Sequence, residues 1–293
     1  MPENMDTDTG RTPRLTVLGA GVMGASIATL AVGHGVPVLL VDTDRDKLAA
    51  AGDRIEHELR LARLMGALPD GAPTGELTTS ASVTDAAGSD AVIEAITEIA
   101  ELKAKVLSEV SAAVSPGTVL VSNTSAIPID ELASAAARPA EVVGTHFMNP
   151  PYLIRTVEVI RGRRTGDATM AAVRELLGVL HREPVVVNDA PGFVTSRVLH
   201  PMINDAVRVV QDGTATAEAV DTLMRGCLGH PTGPLRTADL IGLDNLVDSL
   251  WVLLDRTGDE GCRPCDLLLE KVRQGHHGRK SGRGFYVYEG EMS

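Results

Sequence analysis

The chain of 293 residues predicts an α/β protein: a doubly wound, mostly parallel sheet followed by an all-α C-terminal domain. Three observations lead there. Short apolar runs alternate with helical periodicity from Arg14 to about Val187. A glycine triplet separates the first apolar run from the first helix. After Asn188-Asp189-Ala190-Pro191-Gly192 the β-branched clusters stop, while helical periods broken by Gly and Pro continue to about residue 275. Strands alternating with helices imply a parallel sheet covered on both faces, and the change in texture implies a second domain.

The first strand is expected at Arg14 to Leu18 and the helix after it at Ala25 to Gly33. A second strand, Val36 to Val41, precedes a helix from Lys47 to Leu68 that ends in the loop Pro69-Asp70-Gly71-Ala72-Pro73. Further strands are expected at Leu77–Ser80, Ala91–Glu94, Thr118–Ser122, Glu141–Thr145, Val157–Ile160 and Pro184–Val187. Helices at Glu101–Val114 and Ala168–His181 lie between them. The expected organisation is a polar, proline-bearing tail over 1–13, a sheet domain over 14–189 and a helical domain over 190–293.

Composition narrows the function classes. The chain is 44% hydrophobic, enough for a full core at this length. A net charge of −12, with three Phe, three Tyr and one Trp, argues against nucleic acid, which needs cationic surface and stacking rings. No apolar run approaches the ~20 residues that span a bilayer, so no membrane association and a cytoplasmic location are expected. Three cysteines are too few for a disulfide scaffold. Cys262-Arg263-Pro264-Cys265 follows no strand and lacks a second pair, so two ordinary thiols and no metal site are expected.

The glycine triplet carries chemistry. Gly19, Gly21 and Gly24, with Val22 and Met23 between them, form G-x-G-x-x-G between a strand and a helix. Gly19 would allow the tight turn, Gly21 the approach of a pyrophosphate and Gly24 close helix–strand packing. The helix N-terminus then offers unpaired N–H groups and the positive end of its dipole to the phosphates. Asp42 ends the second strand, where a carboxylate accepts hydrogen bonds from the adenine ribose and repels a 2′-phosphate. This is the Rossmann-type arrangement, and it favours NAD over NADP.

A proton acceptor is expected beside the dinucleotide. Ser122-Asn123-Thr124-Ser125-Ala126 follows a predicted strand, His146 ends the next and Glu158 begins the one after. An imidazole can take an alcohol proton at neutral pH, and a carboxylate on its other nitrogen fixes the tautomer and raises its basicity. As hydride leaves the carbon, His146 would remove the hydroxyl proton and Ser125 would hydrogen-bond the same oxygen. No G-x-S-x-G elbow points instead to a hydrolase.

Several runs together resemble the 3-hydroxyacyl-CoA dehydrogenase family in order and over nearly the whole chain: GAGVMG, the acidic pair Glu94/Glu98, SNTSA, GTHFMNPPYLIRTVEVI, DAPGF and GRKSGRGFYVY. The resemblance implies a helical C-terminal domain that forms a homodimer, and NAD-linked interconversion of 3-hydroxy and 3-oxo acyl thioesters. It places the family's catalytic histidine and glutamate on His146 and Glu158, and its substrate-binding serine on Ser125. The residues contacting the ribose and nicotinamide side fall on Glu98 and Lys103, with Asn123 in the cofactor set.

Two departures from the family pattern bear on the substrate. Ser196 stands where an asparagine usually completes the site. The helix from Asp53 to Leu64, with Met65 after it, offers Glu58, Leu61, Leu64 and Met65 where lysines and a serine hold CoA phosphates, leaving Arg54, Arg60 and Arg63 as cations. An anionic nucleotide calls for fixed positive groups. The expectation therefore leans to a small polar acyl group, such as glyceryl, on an acyl carrier protein of polyketide extender-unit biosynthesis. Arg155, Arg161, Arg163 and Arg164 would dock that carrier near the site mouth. Three alternatives stand beside it: a 3-hydroxybutyryl-CoA-type dehydrogenase, a free 3-hydroxy acid (gulonate or carnitine type) dehydrogenase with Asn149 and Arg155 meeting the carboxylate, and a non-catalytic NAD-binding dimer.

Overall fold

A computed structural model describes residues 12–69, 71 and 73–288. Of the expected tail over 1–13, all but Thr12 and Pro13 fall outside the described residues, as do Asp70 and Ala72 of the expected loop. The chain divides into two compact units. One runs to Thr124 and resumes over Ile129–Asp189; the other consists of Ser125–Pro128 and the residues from Ala190 on.

The first unit comprises β1 (Leu15–Leu18), α1 (Val22–Gly33), β2 (Val38–Val41), α2 (Arg45–Leu64), β3 (Leu77–Ser80), β4 (Ala91–Glu94), α3 (Ala100–Ala113), β5 (Val119–Asn123), α4 (Ile129–Ala133), β6 (Val142–His146), β7 (Thr156–Arg161), α5 (Asp167–Val179) and β8 (Glu183–Asn188). They form one eight-stranded sheet in the order β3-β2-β1-β4-β5-β6-β7-β8. All neighbours run parallel except β6 and β7, so β7 and β8 run against the other six strands. Every residue of β1 and β4 is buried, the pattern of strands covered on both faces. The chain leaves β1 toward β2 and later returns to its other side as β4. That reversal opens a crevice beyond the carboxyl ends of β1 and β4.

Element ends differ from the expectations for local reasons. β2 starts at Val38 rather than Val36 because Pro37 has no N–H to give to a ladder. α2 starts at Arg45 because the Asp44 carboxylate caps it, accepting from the N–H groups of Asp46 (3.0 Å) and Lys47 (3.2 Å). It ends at Leu64 rather than Leu68, with Gly66 in the left-handed region (φ +64°) just beyond. β5 runs one residue past the expected end, so Asn123 lies inside it with Ser122, where Ser122 pairs with Glu94 and Gly144, and Asn123 with Thr145. α4 carried no sequence signal. Asp189, distant in the chain, starts it by accepting from the N–H groups of Ile129 (2.9 Å) and Asp130 (2.8 Å).

The second unit holds α6 (Thr195–Gln211), α7 (Ala217–Leu228), α8 (Pro234–Ile241), α9 (Leu243–Thr257) and α10 (Asp266–Arg273). Its own core joins Ile203, Val207, Leu235, Leu246, Leu250 and Leu268. Cys262 and Cys265 are free, buried in that core, and burial pushes both thiols up. The C-terminal G-F-Y-V-Y run is a strap. Buried Asp239 accepts from the N–H groups of Phe285 (2.9 Å) and Tyr286 (3.0 Å) and from the Tyr288 hydroxyl (3.1 Å). Buried Asp221 accepts from the Tyr286 hydroxyl at 2.8 Å. Among the described residues, no helix is long and apolar enough to cross a membrane.

Replacing Asp239 with Ala leaves those three donors without their acceptor. The expected cost is about 2–4 kcal/mol, since buried donors stripped of a charged partner lose about 1–3 kcal/mol or more each before relaxation. A lower urea midpoint in equilibrium unfolding checks this; an unchanged midpoint contradicts it.

Candidate active site

The glycine turn joins β1 to α1. Gly19 has φ +102°, and a Cβ there would come within 2.6 Å of the Ala95 carbonyl oxygen beyond β4. A Cβ on Gly24 would lie 1.8 Å from the Gly19 carbonyl oxygen, so this glycine seats α1 against the turn. Gly21 differs: a Cβ there would meet nothing within 4 Å. Its main chain borders open space, as the approach of a pyrophosphate requires. No side chain caps α1 and its first turn holds no acidic residue, so its N-terminal N–H groups face no competing anion. Val22 is half exposed there, while Met23 packs partly against the core.

Asp42 is fixed beside the turn. One carboxylate oxygen accepts from the Ala20 N–H (2.8 Å) and the other from the Asp44 N–H (2.9 Å). A carboxylate offers about four acceptor positions, so capacity is left for ribose hydroxyls. An uncapped helix start, an open Gly21 and a held carboxylate together fit NAD. Gly19, Gly21, Val22, Met23, Gly24 and Asp42, the residues expected to hold its adenosine diphosphate half, lie together at this turn.

The expected His146–Glu158 pair comes from β6 and β7. Their register sets His146 directly opposite Glu158. Opposed residues of an antiparallel pair share a face. His146 Nδ1 lies 3.1 Å from Glu158 Oε2, with both side chains buried. Nδ1–H donating to the carboxylate leaves Nε2 as the basic nitrogen, and the carboxylate stabilises the imidazolium formed on protonation. The loop joining the two strands is held by buried Arg182, whose Nη1 donates to the carbonyls of Pro151 (3.1 Å) and Ile154 (3.2 Å). Sequence reasoning missed Arg182, because its partners are main-chain carbonyls with no sequence signature.

Around the crevice end of β4 and β5, the structure brings Glu94, Glu98, Lys103 and Asn123 together. Lys103 Nζ contacts Glu94, Glu98 and the Asn123 carbonyl, and the Asn123 side chain accepts from the Phe147 N–H at 3.1 Å, next to His146. Ser125 and Ser196 belong to the second unit. Ser196, on the first turn of α6, is buried, and its Oγ has no hydrogen-bond partner among the described residues. The turn before it carries Gly192 and Phe193 at φ +70° and +49°.

Two expectations are corrected. Arg161 ends β7, and β7 runs opposite to β6, so Arg161, Arg163 and Arg164 sit toward the start of β6, at the sheet end away from His146. There Arg161 pairs with Asp167, while Arg164 Nη1 donates to the Asp130 carbonyl. Of the four arginines only Arg155, which is exposed and precedes β7, lies at the His146 end; exposed Asn149 lies in the same connection. Glu58, for its part, is turned inward. Its carboxylate accepts from Ser26 Oγ at 2.9 and 2.7 Å, and burial raises its pKa. It does not present a free anion along α2. Leu64 and Met65 are exposed as expected, and Arg60 is paired with Glu56.

Comparisons with known proteins bear on the family of the chain. The family model for the NAD-binding domain of 3-hydroxyacyl-CoA dehydrogenase matches residues 14–190, and that for its C-terminal domain matches residues 192–288. A Deinococcus radiodurans protein described as "Probable 3-hydroxybutyryl-CoA dehydrogenase" is 42% identical over 274 residues, 93% of this chain and 99% of the relative. The crystal structure of (S)-3-hydroxybutyryl-CoA dehydrogenase PaaH1 from Ralstonia eutropha superposes with a TM-score of 0.84 at 36% identity, covering 95% of this chain and 100% of that one. M. tuberculosis FadB2 gives 0.89 at 35% identity, with the same coverage.

Asp42→Asn keeps the shape but removes the charge that repels a 2′-phosphate. The ratio of kcat/KM for NAD over NADP is expected to fall at least about tenfold, since like-charge contacts cost several kcal/mol. Steady-state kinetics with both cofactors checks this, and an unchanged ratio contradicts the assignment.

Proposed function

Because the chain belongs to the 3-hydroxyacyl-CoA dehydrogenase family of NAD-dependent oxidoreductases acting on CH–OH, we propose that it interconverts a short (S)-3-hydroxyacyl-CoA, of the 3-hydroxybutyryl-CoA type, with its 3-oxoacyl-CoA. The observation that carries this reading is the buried His146–Glu158 pair. NAD, bound at the glycine turn, supplies the hydride acceptor for the substrate C3 carbon. His146 Nε2 takes the C3 hydroxyl proton as hydride leaves, and returns it in the reverse direction. Glu158 holds the imidazole through Nδ1 and balances its positive charge. By resemblance to the family, Ser125 and Ser196 are assigned to the substrate, and exposed Asn149 and Arg155 would line its approach to His146. Glu98, Lys103 and Asn123 serve the nicotinamide half of NAD. The same reading takes residues 190–293 as the homodimerisation region.

The CoA ester is preferred to a carrier-bound acyl group on physical grounds. Glu58 is half-buried and its carboxylate is engaged by Ser26 on α1, so it is not a free charge along α2. Three of the four arginines suggested for docking a carrier lie at the other end of the sheet. A small polar acyl group such as glyceryl on an acyl carrier protein is a second reading, favoured by the buried, unpaired Ser196 Oγ. A free hydroxy acid would rest on exposed Asn149 and Arg155. A non-catalytic NAD-binding dimer has no use for a buried His–Glu pair.

Offering 3-hydroxybutyryl-CoA, glyceryl-carrier protein and free 3-hydroxybutyrate side by side, with NADH absorbance as readout, separates these. The CoA ester is expected to lead in kcat/KM; faster turnover of either competitor overturns the substrate assignment. His146→Gln is expected to lower kcat by about 10²–10⁴-fold, the usual worth of a general base, while calorimetric NAD affinity holds. Retained turnover contradicts the base assignment.

A further inference from the structure

Below the crevice end of β4 and β5 lies a network of ions more enclosed than a surface contact needs. Lys103, on α3, has no solvent exposure, nor has the side chain of Glu94, the last residue of β4. Lys103 Nζ donates to Glu94 Oε1 at 2.7 Å and to the Asn123 carbonyl at 3.0 Å, and it lies 3.2 Å from Glu98 Oε2. Glu94 makes two more contacts. Oε1 accepts from the Ile96 N–H at 2.8 Å, and Oε2 from Ser122 Oγ at 2.6 Å. Glu98 Oε1 accepts from Thr124 Oγ1 at 2.5 Å, and its side chain is 37% exposed.

Burying a lysine and a glutamate costs desolvation that a pair of apolar side chains would avoid, so the pair is poorly explained by stability alone. What it achieves is geometric. Glu94 ties the loop after β4 (through Ile96) to β5 (through Ser122), and through Lys103 to the end of β5 at Asn123. Glu94 also balances the Lys103 charge in the interior. Glu98 then needs only one shared contact with the ammonium and keeps part of its carboxylate toward solvent. Asn123, held by its carbonyl, points its side chain to the Phe147 N–H beside His146.

We propose that Glu94 is a positioning residue for cofactor binding: from beneath the site it fixes Lys103, Glu98 and Asn123, and so sets the affinity for the nicotinamide half of NAD without touching it. This rests on the assignment of Glu98 and Lys103 to that half of the cofactor. The adenosine diphosphate half, on the glycine turn and Asp42, is left out of its reach.

Calorimetric titration of the purified protein with NAD and, separately, with ADP tests the proposal. ADP occupies only the glycine-turn half and reports whether the fold is intact. Glu94→Gln is expected to raise the Kd for NAD about tenfold, equivalent to about 1.4 kcal/mol, and to leave that for ADP within about twofold. Unchanged NAD affinity, or an equal loss for NAD and ADP, overturns it, the latter because a merely structural role would weaken both ligands. Should Glu94→Gln fail to fold, Ser122→Ala removes one donor to the same carboxylate and decides. A lower NAD-to-ADP affinity ratio supports the proposal, and an unchanged ratio overturns it. Glu98→Gln is the control for the underlying assignment. If it leaves the ratio unchanged, Glu98 does not serve the nicotinamide half; if it lowers the ratio while Glu94→Gln does not, only the positioning role of Glu94 falls.

Discussion

The antiparallel pairing of β6 with β7 is the constraint on which the catalytic geometry depends. Six strands point their carboxyl ends toward one end of the sheet, and the crevice between β1 and β4 opens there. A seventh parallel strand would have begun at the opposite end and carried Glu158 away from His146. Because β7 turns back, it begins where β6 finishes, and the register sets the carboxylate across from the imidazole. A slip of one residue would turn Glu158 to the other face of the sheet, so the pairing has to be held firmly. Arg182 helps hold it, clamping the carbonyls of Pro151 and Ile154 within the nine-residue connecting segment 147–155.

Around that pair, charge is placed by the strand ends. Asp42 ends the run of β2 and is locked by the N–H groups of Ala20 and Asp44, which sets a fixed negative charge beside the glycine turn. Glu94 ends β4 and is locked by Ile96, Ser122 and Lys103. Each carboxylate is held by main-chain or buried donors, so neither must reorganise when a ligand arrives; that pre-organisation is what makes fixed charges effective in a site. The helix start at Gly21 is the complement, a concentration of N–H donors with no acid of its own in the first turn.

Much of the fold was legible in the sequence, and the limits of that reading are physical. Leu77–Ser80 and Ala91–Glu94 match the expected strands end to end, the first carrying two β-branched threonines and the second a short, fully buried run. Strand direction was not legible. Apolar periodicity in β7 is the same whichever way it runs, so Arg161, Arg163 and Arg164 were expected at the wrong end of the sheet. Nor was the partner of Glu58 legible, since Ser26 lies 32 residues away on a different helix. The glycine turn has a local pattern of its own, whereas His146 and Glu158 stand out in the sequence only through their joint placement at neighbouring strand ends and the family resemblance. Arg182, Asp189 and the burial of Lys103 have none, because their roles exist only through contacts made in the folded chain.

The central claim is that His146 and Glu158 act as one proton-transfer unit, and a double-mutant cycle on kcat tests it most directly. With His146→Gln, Glu158→Gln and the double variant compared on 3-hydroxybutyryl-CoA, the account predicts strong non-additivity. The carboxylate substitution should cost about 10–100-fold in the native background and almost nothing once the imidazole is gone. Losses that simply multiply would show that the two residues act independently, and would contradict it.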